Sequence, residues 1–143
     1  MIDFKCTFYK KVTLIFFTII IIQGCFSRSS QNANDTFTYW LKMDPPKEVR
    51  VINGEFYQSP HFTLEYELFL EFMVKKTWWE SLVATNQLIH TAFQFLPESI
   101  DAPAWFTPDG TFELYKSAVT YDRSFYYVNK QSGLCYVYES LGM

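Results

Sequence analysis

The sequence predicts an α+β domain in which a small antiparallel sheet of about five or six strands packs on one short helix. The main observation is a period-2 alternation over residues 62–73, where apolar residues alternate with residues that include three glutamates. A second observation is a helical pattern that follows Thr77. A third is a set of short strand-like runs, separated by turn residues, near the end of the chain. These patterns place a single domain at residues 37–143, and the strand order does not follow from them.

The first 24 residues have the layout of an export signal. A lysine-rich region is followed by residues 12–22, which are eleven residues without charge. As a helix this segment would measure about 16 Å at about 1.5 Å per residue. The hydrocarbon core of a bilayer is about 30 Å thick. The segment therefore predicts a signal-peptide hydrophobic region in preference to a transmembrane helix.

The sequence Ile22-Gln23-Gly24-Cys25 comes directly after this run and resembles the lipobox of bacterial lipoproteins. In that family an aliphatic residue stands three positions before the cysteine, and a small residue, here Gly24, stands just before it. Gln23 departs from the small residue usual at its position. The resemblance implies cleavage between Gly24 and Cys25 and attachment of lipid, including palmitate, to the Cys25 thiol. The alternative is an ordinary signal peptide or signal anchor with an incidental cysteine.

Lipid on Cys25 would place the protein in the bacterial cell envelope. One myristoyl chain alone binds a membrane only marginally, with a constant of about 10⁴ M⁻¹, so two or three chains are needed for a permanent anchor. In Gram-negative lipoproteins an aspartate after the cysteine favours retention in the inner membrane, whereas this chain has Phe26. The resemblance therefore implies an outer-membrane protein that faces the periplasm.

Residues 25–36 are mostly small and polar, and they predict a flexible tether between the lipid and the domain. Removal of residues 1–24 takes away three lysines and one aspartate, which changes the formal charge from −3 to −5. Such a chain does not favour a nucleic-acid partner. We expect no cofactor and no metal, because neither His61 nor His90 has a second ligand at a typical spacing.

The first half of the domain contains two predicted strands. Pro45 and Pro46 interrupt the chain before a strand over residues 49–57, in which Gly54 marks a turn or bulge. The second strand covers residues 62–73. Its three glutamates, Glu65, Glu67 and Glu71, are expected on a face open to solvent.

The helix is predicted to begin with a capping box formed by Thr77 and Glu80. It extends for about ten residues and ends near Asn86. We expect its buried side to contain Trp79, Leu82 and Val83.

The rest of the chain reads as strands and turns. A strand over residues 90–95 precedes a loop at 97–110, which contains three prolines and a Pro-Asp-Gly turn. Three further strands are predicted, at 112–116, 124–128 and 134–139. Residues 129–133 form a hairpin turn with glycine at the position that needs a positive φ.

Cys135 is the one cysteine that would remain free after cleavage and acylation, so no intramolecular disulfide is expected. Its place in a strand predicts a small buried hydrophobic residue. A reactive thiol and an intermolecular bridge are the alternatives.

The glutamates of the second strand are candidates for chemistry. Neighbouring residues on one face of a strand are about 7 Å apart, which suits an acid-base pair of a glycosidase or a cation site. The alternative is that all three are simply solvated.

Three aromatic residues are candidates for contact with a protein partner. Trp105 and Phe106 lie in the proline-rich loop and Trp78 lies at the start of the helix, and aromatic side chains dominate interface hot spots. The alternative is that the loop folds back as a lid over the open face of the sheet.

Three function classes remain open. The leading hypothesis is a non-enzymatic, lipid-anchored envelope protein that binds a protein partner or an envelope component. A second is an immunity or inhibitor lipoprotein that neutralises a toxin or lytic enzyme, since an acidic domain complements a basic enzyme. A third is a cell-wall hydrolase.

Overall fold

The computed structural model describes residues 27–60, 65–118 and 123–142. In these ranges the chain forms one antiparallel sheet with the strand order β1-β2-β3-β7-β6-β5-β4. The seven strands are β1 (Arg28–Ser30), β2 (Val49–Gln58), β3 (Tyr66–Val74), β4 (Leu88–Thr91), β5 (Glu113–Ser117), β6 (Phe125–Asn129) and β7 (Leu134–Leu141). Two helices, α1 (Ala33–Leu41) and α2 (Lys76–Thr85), complete the described elements. The α+β class with an antiparallel sheet is confirmed, with more strands than expected and a second helix.

The predicted signal peptide and the cleavage and lipidation sites at Gly24 and Cys25 lie outside the described residues, as does His61. Within the described ranges, neither helix is long and apolar enough to cross a bilayer.

The segment predicted as a tether is part of the fold from Arg28 onward. Arg28 pairs with Gln58 and Ser30 with Phe56, which adds β1 to the edge of the sheet. Helix α1 begins directly after it. The prediction of a flexible tether through residue 36 is therefore wrong for residues 28–36.

The polar residues of this segment stabilise a helix start. The Asn32 side chain accepts hydrogen bonds from the backbone N–H groups of Asn34 and Asp35, at 2.9 and 3.1 Å. Such a cap satisfies backbone donors that the first turn of a helix cannot pair internally. Phe37 then lies fully buried against the sheet. The short polar run serves as a helix cap, and small polar residues are typical of helix N-termini as well as of flexible tethers.

Gly54 in β2 has a different role from the predicted one. The register shift lies between Val51 and Asn53, one position before Gly54. A Cβ atom on Gly54 would lie 2.7 Å from the Cβ of Thr36. Glycine at this position lets α1 pack directly on the backbone of β2.

The sheet is covered on both faces. One face, which we call the helix face, packs α1 and α2 against alternate strand residues such as Leu68, Leu70 and Phe72. The opposite face, which we call the loop face, carries Phe69 of β3 and is covered by aromatic residues of the segment 92–112. Phe69 is only 5% exposed. The expectation that this side of β3 is open to solvent is therefore wrong.

Helix α2 forms where expected, but without the predicted capping box. Its N-cap is Lys75, which makes no side-chain capping bond. Because the helix begins at Lys76, Thr77 lies inside its first turn and is not the N-cap. Glu80 Oε1 instead lies 3.7 Å from Lys76 Nζ, as an i,i+4 ion pair. The predicted burial of Trp79 and Leu82 is confirmed, while Val83 is partly buried. Asn86 is the C-cap, as predicted.

The later strands match the prediction closely, except for the strand expected at 90–95. That strand, β4, ends at Thr91, and the chain then leaves the sheet to cover the loop face. The hairpin turn between β6 and β7 is confirmed, with Gly133 at a φ of 77°.

Candidate functional site

A concave surface lies on the loop face, beside the β1 edge. We call it the acidic cleft, and its volume is about 470 Å³. Its lining contains three carboxylates, those of Glu55, Glu67 and Asp101, and the well-exposed ring of Tyr57. The remaining lining residues are Ser29, Ser30, Gln31, Phe56 and Phe69. Tyr57 is 47% exposed. The cleft is built from β1, β2, β3 and the loop that crosses the sheet.

Strand register brings two of these carboxylates to one side of the sheet. Tyr57 pairs with Glu67, and Glu55 pairs with Phe69, across the β2–β3 ladder. Asp101 comes from the loop between β4 and β5. The side chains of Glu55 and Asp101 have no hydrogen-bond or ion-pair partner among the described residues, so their charges are not compensated within this part of the chain.

Glu67 is held in place by a tyrosine of the neighbouring strand. The Tyr138 hydroxyl donates to Glu67 Oε1 at 3.1 Å. Burial raises the pKa of the Tyr138 hydroxyl, and the nearby Glu67 charge raises it further. Tyr138 therefore stays protonated at neutral pH and remains a donor, which fixes the orientation of one cleft carboxylate.

The three glutamates of the predicted second strand each have their own hydrogen-bond partners. The Glu71 carboxylate accepts from the Tyr136 hydroxyl at 3.1 Å and from Asn53 Nδ2 at 2.6 Å. Glu65 lies before β3 and accepts from the hydroxyl of Ser59 at 3.3 Å. Glu67 and Glu71 are four positions apart, which is about 13 Å along a strand. That distance exceeds the roughly 9.5 Å upper limit for paired glycosidase carboxylates.

The structure separates the three predicted partner-binding aromatics. Phe106 is 7% exposed and packs in the core of the loop face. Trp105 is half-buried beside it, so the loop does cover the sheet, as the lid alternative stated. Trp78 lies on the helix face, where it packs against Phe37 and Phe72. The three side chains therefore form no common surface, and Phe106 is a core residue.

A second carboxylate arrangement lies on the helix face and was not predicted. Glu139 of β7 accepts hydrogen bonds from Trp40 Nε1 at 3.0 Å, from the Tyr66 hydroxyl at 3.1 Å and from the Tyr126 hydroxyl at 2.5 Å. The signal in the sequence was a charged residue at an inward position of β7, where Cys135 and Val137 share the same face. This half-buried carboxylate ties α1 to three strands, which is a structural role.

A small surface network joins β4, β5 and the β6–β7 turn. Lys130 Nζ lies 2.6 Å from Glu113 Oε2, and the Tyr115 hydroxyl donates to the same oxygen at 3.0 Å. The hydrogen bond from Lys130 is the main cause that lowers the pKa of Glu113. His90 lies 3.9 Å from this carboxylate. Both members of the ion pair are exposed to solvent, so the network contributes little stability.

Cys135 is fully buried, as predicted, and burial raises the pKa of its thiol well above the usual range. Such a thiol is inert toward oxidants and alkylating reagents in the folded state. In the described ranges, no group of His, Cys, Asp and Glu side chains is arranged to hold a metal ion.

The cleft residues that the sequence patterns did not indicate are Glu55, Tyr57 and Asp101. Glu55 and Tyr57 alternate along β2 with Gly54 and Phe56, and that alternation is a signal for an outward face. Comparison with known proteins adds nothing to this geometry: no family model, curated protein or solved structure matches the chain.

Proposed function

We propose that this chain is a lipid-anchored envelope protein without enzymatic activity, which binds a basic segment of a protein partner in the acidic cleft. The observation that carries the proposal is the uncompensated negative charge of Glu55 and Asp101 in a concave site. A lysine or arginine side chain entering the cleft would meet these carboxylates and the exposed ring of Tyr57. Charge pairing and a cation–π contact would then act on the same group.

The anchor in this proposal is supported by the sequence that precedes the domain. A positive region, an apolar run of eleven residues and the lipobox-like Ile22-Gln23-Gly24-Cys25 follow one another in the order of a lipoprotein signal. With Phe26 after the cysteine, the protein is proposed to reside in the outer membrane and to face the periplasm. Replacement Cys25→Ser should abolish incorporation of labelled palmitate and release the protein from the membrane fraction. Continued labelling of that variant would refute the anchor.

The cleft is tested by charge neutralisation at constant shape. The acylated protein and its Glu55→Gln/Asp101→Asn variant are used to capture partners from native envelopes. We expect the variant to capture several-fold less of a partner that the unmodified protein retains. Added salt should cause a similar decrease in the amount that the unmodified protein captures. The matched control is Glu48→Gln/Glu98→Gln, which removes two exposed carboxylates outside the cleft. Equal capture by both variants would contradict the assignment of the cleft.

An inhibitor of a toxin or lytic enzyme is the narrower form of the same proposal. The cleft favours it because a basic enzyme would supply the cationic side chain that the carboxylates attract. If the captured partner is such an enzyme, the domain should lower its activity, and the Glu55→Gln/Asp101→Asn variant should restore that activity. If the domain does not change the activity of the captured enzyme, the inhibitor form of the proposal is refuted and only the general binding role is supported.

A further inference from the structure

The distance between the proposed lipidation site and the folded domain is very short. Arg28 is the first residue of β1, so three residue steps separate it from Cys25. A fully extended chain covers at most about 3.6 Å per residue, which limits this separation to about 11 Å. The headgroup region on each side of a bilayer is itself about 5–8 Å thick. A lipid on Cys25 would therefore hold the domain against the membrane surface, with no room for it to stand clear.

Strand register defines which part of the domain lies closest to the anchor. Arg28 pairs with Gln58, Gln58 pairs with Tyr66, and Tyr66 pairs with Leu141. These four residues form one row across the adjacent strands β1, β2, β3 and β7, which we call the anchor row. Neighbouring strands are about 4.8 Å apart, so the row is about 14 Å wide. The chain from Cys25 enters at one end of this row.

The chemistry of the anchor row suits a lipid headgroup surface. Leu141 is 47% exposed, and Tyr57, one position further along β2, is exposed to the same extent. Arg28 is exposed and its guanidinium lies 5.0 Å from the centre of the Tyr39 ring. Arg28 and Leu141 lie at opposite ends of the row. An exposed cation and an exposed apolar side chain on one edge of a domain are typical of residues that sit at the level of headgroups.

We propose that acylated Cys25 holds the domain flush against the bilayer, with the anchor row facing the lipid headgroups. This inference rests on the proposed lipid anchor and adds an orientation to it. The turn at residues 129–133 then points away from the membrane, because it lies at the far end of β3 and β7. The acidic cleft lies beside the anchor row, since Ser29 and Tyr57 are the next pair along β1 and β2. A partner would therefore reach the cleft only at the membrane surface.

The orientation is tested with two fluorescent labels on the acylated protein. Leu141→Cys places a label in the anchor row and Gln131→Cys places one in the exposed turn at the other end of the sheet. The nine residues of β3 put these two ends about 26 Å apart. Cys135 is fully buried and should not react with the label. Tyr57→Cys serves as a second membrane-side position in case Leu141→Cys does not fold.

The labelled proteins are reconstituted in vesicles of phosphatidylethanolamine and phosphatidylglycerol that carry a nitroxide quencher on a fraction of the headgroups. We expect quenching to be several-fold stronger at position 141 or 57 than at position 131. Equal quenching at the two ends of the sheet, in protein that floats with the vesicles, would overturn the orientation and leave the anchor intact. Protein that does not float with the vesicles lacks the anchor, which would refute the proposed function and the orientation with it.

A linker variant provides the matched control for the short connection. Insertion of about twelve Gly and Ser residues between Ser27 and Arg28 adds a flexible chain with a root-mean-square reach of about 19 Å. This variant should remain on the vesicles while its quenching at position 141 falls to the level seen at position 131. Unchanged quenching after the insertion would show that the short connection does not set the orientation.

Discussion

Replacement of Glu139 should destabilise the domain more than any other single loss of a carboxylate in the described part of the chain. Its side chain accepts from Trp40, Tyr66 and Tyr126 and thereby joins α1 to β3 and β6. A hydrogen bond to a charged group contributes about 1.5–3 kcal/mol, and the three bonds are not additive. Because the site is half-buried and the released donors can turn to water, we expect a loss of about 2–4 kcal/mol for Glu139→Ala.

The variant Glu139→Gln isolates the charge from the packing. It keeps one acceptor oxygen but replaces the other with an amide N–H₂ group, which faces at least one hydroxyl donor without accepting from it, so a loss of about 1–2 kcal/mol is expected. Urea unfolding of the chain from Ser27 onward, which retains β1, measures both variants. With a slope of about 1–3 kcal/mol per molar urea, Glu139→Ala should shift the midpoint by about 1–2 M.

Two comparisons make this prediction specific. Glu98→Gln removes an exposed carboxylate and should leave the free energy of unfolding within about 0.5 kcal/mol of that of the unmodified domain. Trp40→Phe removes the indole N–H and keeps an aromatic ring, so the double variant with Glu139→Gln should show a coupling of about 0.5–1.5 kcal/mol. If Glu139→Gln costs no more than Glu98→Gln, the carboxylate does not hold α1 on the sheet.

Three further outcomes follow from the fold. Asn32→Ala should lower the free energy of unfolding by about 1 kcal/mol through loss of the α1 cap, and an unchanged urea midpoint would argue against the cap. Gly54→Ala should cost about 1–3 kcal/mol, because its new methyl group would meet Thr36, and a neutral result would mean that α1 does not approach β2 closely. The raised pKa of Cys135 means that the unfolded chain ionises first as pH rises above about 8.5, so stability should fall above that pH. The fall between about pH 8.5 and 10 should be shallower in Cys135→Ala, and parallel curves from unfolding titrations would contradict this origin.

The alternation of residues predicted most of the sheet because each strand pairs with a neighbour close in sequence. The β2–β3 and β6–β7 pairs show this, and the turn before Leu134 was identified from Gly133. The error on β3 has a physical cause. A strand pattern with glutamates predicts a face open to solvent, whereas Phe69, which lies among those glutamates, is covered by Phe106, 37 residues further along the chain. Local periodicity carries no information about such distant packing.

The candidate site was harder to predict for the same reason. The strand pattern indicates Glu67 as a candidate, but its neighbours in the cleft come from other elements. Tyr57 lies opposite Glu67 in the β2–β3 pair, and Asp101 lies in a loop that has no periodic pattern. The size of Trp105 and Phe106 and their place in a proline-rich segment predict an interface role. Core packing uses the same residue types as an interface does, so composition alone did not separate the two roles.

The coverage of both faces of the sheet has a consequence for how the domain unfolds. Strands β3 and β7 lie in the middle of the sheet and supply side chains to the helix face and to the loop face at once. Unfolding of either covering layer would expose one face of these two strands to solvent. It would therefore also weaken the packing of the second layer on their opposite face. The two hydrophobic clusters are therefore joined through the same two strands, and the domain should unfold as a single cooperative unit.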